Sequence, residues 1–313
     1  VYKQYNKKAH LLVKENTKKE NDKMKVDVSE VKAYRDCKRK WMYSSRNRYH
    51  LKPRAPKSVF LFGTLMHEAL HAMYAGGDFD KLFENTLKEL TDPAERRVMS
   101  TILNGYFETV YQDDAQRYKV IDIEYGFDIP FDVGLTEEIH VCGSIDMITL
   151  DRTTNEIWGF EHKSVRTFRD DIYMVMDEQP RVYYIALQKW VKTYNDAHNT
   201  DYVLGGIFIN ECKKTVKEFQ HKRTPCIYTQ DDLSSFLGQF MRTAIHMYND
   251  DEGEPAPGSL KCQMCDYASL CAFSGFSLQS LESIVDEFEE EYMVRDVDHL
   301  EEKVERRIES SED

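Results

Sequence analysis

A chain of 313 residues with 41% hydrophobic side chains can bury one substantial core and carry helical elaborations around it. It holds no apolar run of about eighteen residues, so no membrane-spanning helix is expected. The net charge of −13 does not exclude a nucleic-acid partner, because residues 282–313 carry fourteen acidic and four basic side chains, whereas residues 32–57 carry ten Lys and Arg against the single Asp36.

The first 27 residues are polar and lack the charged-then-apolar profile of a signal peptide. They are expected to form a flexible arm, and the missing initial Met suggests a trimmed or partial chain. A helical pattern over 28–50 follows, holding Cys37 and a run in which Arg39, Lys40, Arg46 and Arg48 alternate with Trp41 and Tyr43. Basic side chains neutralise phosphates and aromatic faces stack on unpaired bases, so this run is expected to face DNA. Helices are predicted over 62–75, 79–91 and 93–117; in the first, Leu65, Met66, Ala69, Leu70 and Met73 define a buried face. Strands near 119–130, 137–150 and 156–164 come next, the first marked by alternating Ile121, Ile123, Tyr125 and Phe127. A helix over 179–195, strands near 203–211 and 215–223, and a helix over 231–249 lead to the linker DEGEPAPG at 251–258. The acidic tail, 274–313, sets Leu281, Ile284, Val285 and Phe288, then Leu300, Val304 and Ile308, at helical spacing.

Two motifs carry chemistry. The hairpin GSIDMITLDRTTNEIWGFEHKS, 143–164, brings Asp146 on one strand towards Glu161 and Lys163 on the next. Side chains at i and i+2 leave a strand on one face, so Glu161 and Lys163 point together and His162 points away. Carboxylate oxygens suit Mg²⁺ or Mn²⁺, and an ammonium offsets charge building on a phosphoryl transition state, so the trio suits phosphodiester hydrolysis. Further on, Cys262, Cys265 and Cys271 stand as C-x₂-C-x₅-C, a spacing more often found in metal ligands than in packing residues. A fourth ligand must come from elsewhere, and Cys37 is the candidate. Spacing alone does not separate four-cysteine zinc from iron–sulfur. Cys142, Cys212 and Cys226 are expected to be buried thiols.

Asp146 followed by Glu161-x-Lys163, after a Gly-containing strand, resembles the PD-(D/E)XK nuclease superfamily. Gln179-x₃-Tyr183, one helical turn apart, is similar to the Q-x-x-x-Y motif of its RecB-like branch, although Pro180 makes Gln179 read as the helix cap. Gly63-Thr64-x-x-His67-Glu68 resembles that branch's motif whose His adds a nitrogen ligand, which shifts preference toward Mn²⁺. The lone Cys37 before the His helix and the triplet after the nuclease motifs resemble the iron–sulfur exonucleases, which include CRISPR-associated adaptation nucleases, the AddB nuclease domain and phage relatives.

Over 28–273 the resemblance implies an α/β, restriction-endonuclease-like fold, a mixed central sheet flanked by helices. Helical N- and C-terminal segments would be joined by a [4Fe–4S] cluster on Cys37, Cys262, Cys265 and Cys271. His67, Asp146 and Glu161 would hold Mg²⁺ or Mn²⁺, while Lys163, Gln179 and Tyr183 act on the strand; Glu124 is a secondary acidic candidate. The implied activity is a single-strand DNA exonuclease of recombination, repair or end processing. It would be cytoplasmic or nucleoid-associated, off the membrane, and partnered by a helicase or recombination protein.

Two other readings stay in view. His67-Glu68-x-x-His71 spells the H-E-x-x-H signature of zinc metalloproteases, which predicts zinc on both imidazoles and peptide cleavage. A catalytically inactive nuclease fold could instead use the cluster and basic helix only to hold DNA.

Overall fold

The computed structural model of the chain describes residues 23–54, 58–132, 138–275, 277–278 and 280–295. Its contacts form two units that interleave along the sequence. The first is built from Val1–Pro56, Asp128–Cys142 and Leu237–Asp313, the second from Lys57–Phe127 and Gly143–Phe236.

The first unit opens with strand β1 (Lys23–Val26), which pairs in parallel with Glu138–Val141, so the polar arm ends earlier than residue 27. Residues 1–22 of that expected arm lie outside the described residues. Helices α1 (Val28–Asp36) and α2 (Lys38–Ser44) follow where one helix over 28–50 is predicted. The break is Cys37, extended at φ −161° and ψ 112°, whose N–H still donates to Ala33. The helix ends at Ser44, a turn occupies 46–49 where the predicted helix would continue, and a three-residue strand, β2 (Leu51–Pro53), follows.

The basic and aromatic run, expected to face DNA, is largely engaged within the protein. Trp41 and Tyr43 are completely buried, and Arg39, 4% exposed, donates to the carbonyls of Gly253 and Glu252. Arg46 pairs with Asp27 and Glu30. Arg48 lies 5.1 Å from the Trp41 ring and donates to the carbonyls of Met247, Tyr248 and Asp250. Such carbonyls at a helix end have no partner within their own helix, which is why guanidinium donors are used there. These side chains are structural ties; Lys40 is half-buried.

Glu30 sits at the centre of these ties, accepting from Ser45 Oγ at 2.8 Å and the Arg46 amide at 3.2 Å. Burial, reinforced by Asp27, pushes its carboxyl up to about 7 against the opposing pull of Arg46 and Ser45. Between the ordinary 4.5 and about 7 the folded chain keeps a proton that the unfolded chain releases, so stability falls as pH rises through that window. Glu30→Gln keeps an acceptor and loses the charge. It is expected to gain on the wild type by on the order of 2 kcal/mol between pH 5 and 8, read from urea titrations at both pH values; an equal difference at both would refute it.

In the second unit, α3 (Ser58–Tyr74), α4 (Phe79–Glu89) and α5 (Pro93–Tyr106) enclose a core that includes Met66, Leu70, Leu90, Met99, Ile102 and Tyr106. The predicted helix over 93–117 passes through a π-helical turn at Phe107–Tyr111 before α6 (Gln112–Arg117). Strand β3 (Tyr118–Phe131) pairs with β4 (Glu138–Asp151), which runs antiparallel to β5 (Glu156–Val165). Helices α7 (Asp171–Met176) and α8 (Glu178–His198) precede β6 (Val203–Lys213), which is parallel to β5 and antiparallel to β7 (His221–Cys226). The result is α/β, a mixed sheet flanked by helices. β7 starts later than predicted, and Pro225 suits a strand that gives up a ladder donor. At Gly205 a Cβ would lie 2.3 Å from the Trp158 ring, and Gly206 takes φ +155° where the β5–β6 register shifts. That close approach requires glycine.

The chain ends in α9 (Gln230–Tyr248), α10 (Ser259–Gln263), α11 (Ala268–Phe273), α12 (Leu281–Glu287) and β8 (Tyr292–Val294). β8 pairs antiparallel with β2, so part of the predicted helical tail is a strand. Tyr43, Leu51, Tyr267, Leu270, Ile284 and Tyr292 form the core around which these short elements close. The second amphipathic set, Leu300 to Ile308, lies outside the described residues. Among the described residues no helix is long and apolar enough to cross a membrane.

Candidate active site

The site forms where β4 and β5 part. Their ladder runs from Asp151↔Glu156 to Met147↔Phe160, and beyond it the Asp146 carboxylate accepts the His162 amide at 2.7 Å. A side chain thus takes over a backbone donor that the ladder no longer satisfies. β5 is buried continuously from Ile157 to His162, as a strand paired on both sides should be, which carries Glu161 into the interior at 3% exposure. Lys163 lies two residues on. Its ammonium pairs with Glu161 Oε1 and remains 32% exposed.

Helix α3 supplies the imidazoles. His67 Nδ1 stands 3.3 Å from Asp146 Oδ2, and His71, one turn on, has its Nδ1 2.8 Å from Glu124 Oε1. His67, His71 and Asp146 each offer a ligand atom within 4.8 Å of the others, the one such group among the described residues. Helix α8 closes the site. Gln179 Nε2 donates to Glu161 Oε1 at 2.9 Å and to the Tyr183 hydroxyl at 2.8 Å. Asp177 rather than Gln179 caps this helix, accepting the Gln179 amide, and Pro180 still falls in the first turn, where its missing N–H costs nothing.

Electrostatics follow from burial and crowding. Burial would raise the Asp146 carboxyl, but the imidazoles of His67, His162 and His71 overcome it and hold Asp146 well below the usual range. Glu161 goes the other way: burial and the neighbouring Asp146 raise it, partly offset by Lys163 and His67. Burial would lower Lys163, yet the Glu161 and Asp146 carboxylates win and keep it a cation. Two buried carboxylates beside neutralisable nitrogens, with Glu161 Oε2 and His71 Nε2 buried and without hydrogen-bond partners among the described residues, are what a divalent cation would complete. The donor set fits such an ion.

All six predicted residues, His67, Asp146, Glu161, Lys163, Gln179 and Tyr183, fall in this one unit. The structure brings His67 to Asp146 and links Glu161 to Lys163 and Gln179, and Gln179 to Tyr183; Glu161 is outside the three-residue group, its Oε1 held by Lys163 and Gln179. His71, which sequence reasoning assigned to a protease string, meets Glu124, the secondary acidic candidate, and Glu124 adopts φ +54°, an unusual conformation for a non-glycine residue.

The sequence model of one family, described as the PD-(D/E)XK nuclease superfamily, matches residues 26–272. The chain belongs to the PD-(D/E)XK nuclease superfamily. No curated protein matches. Among solved structures, SSO0001 is similar at 14% identity and a TM-score of 0.38, covering 89% of this chain and 98% of its own. A protein from Eubacterium rectale described as a proposed exonuclease is similar at 15% identity and a TM-score of 0.45, covering 84% of this chain and 92% of its own. At that similarity neither likeness assigns an activity. Of the H-E-x-x-H string, Glu68, the residue a metalloprotease uses as general base, is exposed, while His71 is 8% exposed.

The cysteines divide by burial. Cys142, Cys212 and Cys226 are buried free thiols, as expected. Cys37, Cys262, Cys265 and Cys271 all lie in the first unit, free and partly or fully exposed. No three of their sulfurs come within 4.8 Å, so they are not at the spacing of ligands around a single ion. They are still neighbours: burial first, then charge on Cys265, Cys37 and Cys262, pushes the Cys271 thiol up to about 11. Backbone amides of Ala256, Gly258 and Tyr267 donate to the sulfurs of Cys37, Cys262 and Cys265 at 3.5, 3.4 and 3.4 Å.

Proposed function

We propose that this nuclease is a divalent-cation-dependent exodeoxyribonuclease that works from single-stranded DNA ends, with a [4Fe–4S] cluster on Cys37, Cys262, Cys265 and Cys271. The observation that carries the reading is the meeting of His67 and Asp146 beside the Glu161–Lys163 pair. A bound Mg²⁺ or Mn²⁺ would polarise the phosphoryl oxygen and lower the pKa of an attacking water. Asp146, Glu161 and His67 would hold the ion, and Lys163, charged and open to solvent, would face the developing negative charge. Gln179 fixes the Glu161 carboxylate, and Tyr183 fixes the Gln179 amide, so both act by positioning.

Single-strand preference is supported by α7, which exposes Ile172, Tyr173 and Met176 just ahead of Asp177 and Gln179. Unpaired bases offer apolar faces to such side chains, whereas a duplex conceals them. The cluster is supported by the three N–H donors to sulfur.

End-labelled single strands and duplexes, digested with Mg²⁺ or Mn²⁺ by anaerobically purified protein, test the reading. Stepwise shortening of single strands, lost in Asp146→Ala, is the expected result. Cutting that persists undiminished in Asp146→Ala would sink it.

A further inference from the structure

His71 has no part in the mechanism above, yet it is the most completely prepared ligand in the site. Its Nδ1 lies 2.8 Å from Glu124 Oε1, and its Nε2 is buried with no hydrogen-bond partner among the described residues. A carboxylate that accepts from one ring nitrogen fixes the tautomer and leaves the other nitrogen's lone pair free, the arrangement by which proteins orient metal-binding histidines. The free lone pair belongs to a residue grouped with His67 and Asp146 within 4.8 Å. Glu124 holds φ +54° while it makes this contact, a backbone cost that needs a return.

The third nearby imidazole is a useful contrast. His162 is completely buried, with ring centroids 6.3 Å from His67 and 6.4 Å from His71. Asn210 Nδ2 donates to its Nδ1 at 2.8 Å, because the Asn210 Oδ1 is already taken by His221 and by Arg223 Nε at 3.1 Å. The remaining Nε2 of His162 therefore carries a proton and offers no lone pair. Of the two buried imidazoles beyond His67, only His71 is set up to donate to a cation.

Resting on the nuclease reading, we infer that His71 is a further ligand of the catalytic cation through Nε2, oriented by Glu124, and that the resulting pair of imidazoles selects Mn²⁺ over Mg²⁺. Imidazole nitrogen favours the borderline transition cations, while Mg²⁺ is held by oxygen and water. His67 and His71 stand four residues apart on α3, so a single helix face delivers both nitrogens to the Asp146 carboxylate.

The test measures Mn²⁺ directly on the full-length chain, by calorimetry and by nitrogen hyperfine couplings in pulsed EPR of the bound ion. Wild type, His71→Ala, Glu124→Ala and Asp146→Ala are compared. Couplings from two imidazoles are expected in the wild type and from one in His71→Ala. Mn²⁺ affinity should fall about 10- to 100-fold in His71→Ala and about tenfold in Glu124→Ala, with Mg²⁺ affinity changed less than about threefold. Wild-type couplings and Mn²⁺ affinity in a folded His71→Ala chain, with Asp146→Ala still unable to bind or cut, would overturn this inference and leave the nuclease reading standing. A wild type that neither binds Mn²⁺ nor cuts DNA would overturn both. Should His71→Ala fail to fold, Glu124→Ala decides, since that side chain is 32% exposed; unchanged Mn²⁺ affinity there overturns the inference.

Discussion

Replacing Lys163 by Met is expected to slow DNA hydrolysis by about 10³-fold, roughly 4 kcal/mol of transition-state stabilisation, while moving the melting temperature by only a few degrees. The large first number follows from where the ammonium sits. It is partly exposed and held as a cation by Glu161 and Asp146, so under the proposed reading it would meet the substrate already charged rather than act as a general base. The small second number follows from Glu161. Deprived of its partner, a carboxyl already raised by burial takes up a proton rather than standing as an unpaired buried charge. Single-turnover digestion of an end-labelled strand, beside a thermal melt, reads both quantities. A Lys163→Met variant that cuts within about threefold of wild type would remove Lys163 from the chemistry.

Much of this site was legible because its parts obey short-range periodicities. Glu161 and Lys163 share a face by the alternation of a strand, Gln179 and Tyr183 by one turn of a helix, and both regularities survive folding unchanged. The long central elements, β4, β5 and α8, were legible for the same reason. What was not legible depends on partners far away in the chain. Nothing local in KAYRDCKRKWMY breaks a helix, yet Cys37 is extended, at the place where its thiol approaches the Ala256 amide. Strands β2 and β8 have three residues each, too few for a pattern, and exist only because they pair across more than two hundred positions. The internal partners of the basic run were hidden for a related reason. A run of Arg reads as a phosphate surface until the carbonyls of Met247, Tyr248, Glu252 and Gly253 are seen to occupy its donors. His71 matched a protease signature in sequence, and only its contact with Glu124 beside Asp146 reassigns it.

Cys265→Ala is expected to strip the protein of iron and visible colour and to lower its melting temperature by about 10 °C. Under the cluster reading, Cys37 is tied to Cys262, Cys265 and Cys271, closing a loop of more than 220 residues. By analogy with a disulfide, opening a closure that long costs about 4–5 kcal/mol of unfolded-chain entropy, and each kcal/mol is roughly 2–4 °C for a chain of this class. Local packing alone predicts far less, since Cys265 is only partly buried and packs at the edge of the core that includes Tyr43, Tyr267 and Leu270. Cys226→Ala supplies the contrast: a fully buried thiol in the other unit, whose loss should cost packing but leave iron at the wild-type level. Iron and sulfide analysis of anaerobically prepared protein separates the outcomes. Zinc in place of iron would require the sulfurs to draw in to the spacing of a single tetrahedral ion, closer than the 4.8 Å that no three of them now meet. Its presence would replace the cluster by a simpler staple, and iron retained in Cys265→Ala would remove these four cysteines from metal binding altogether.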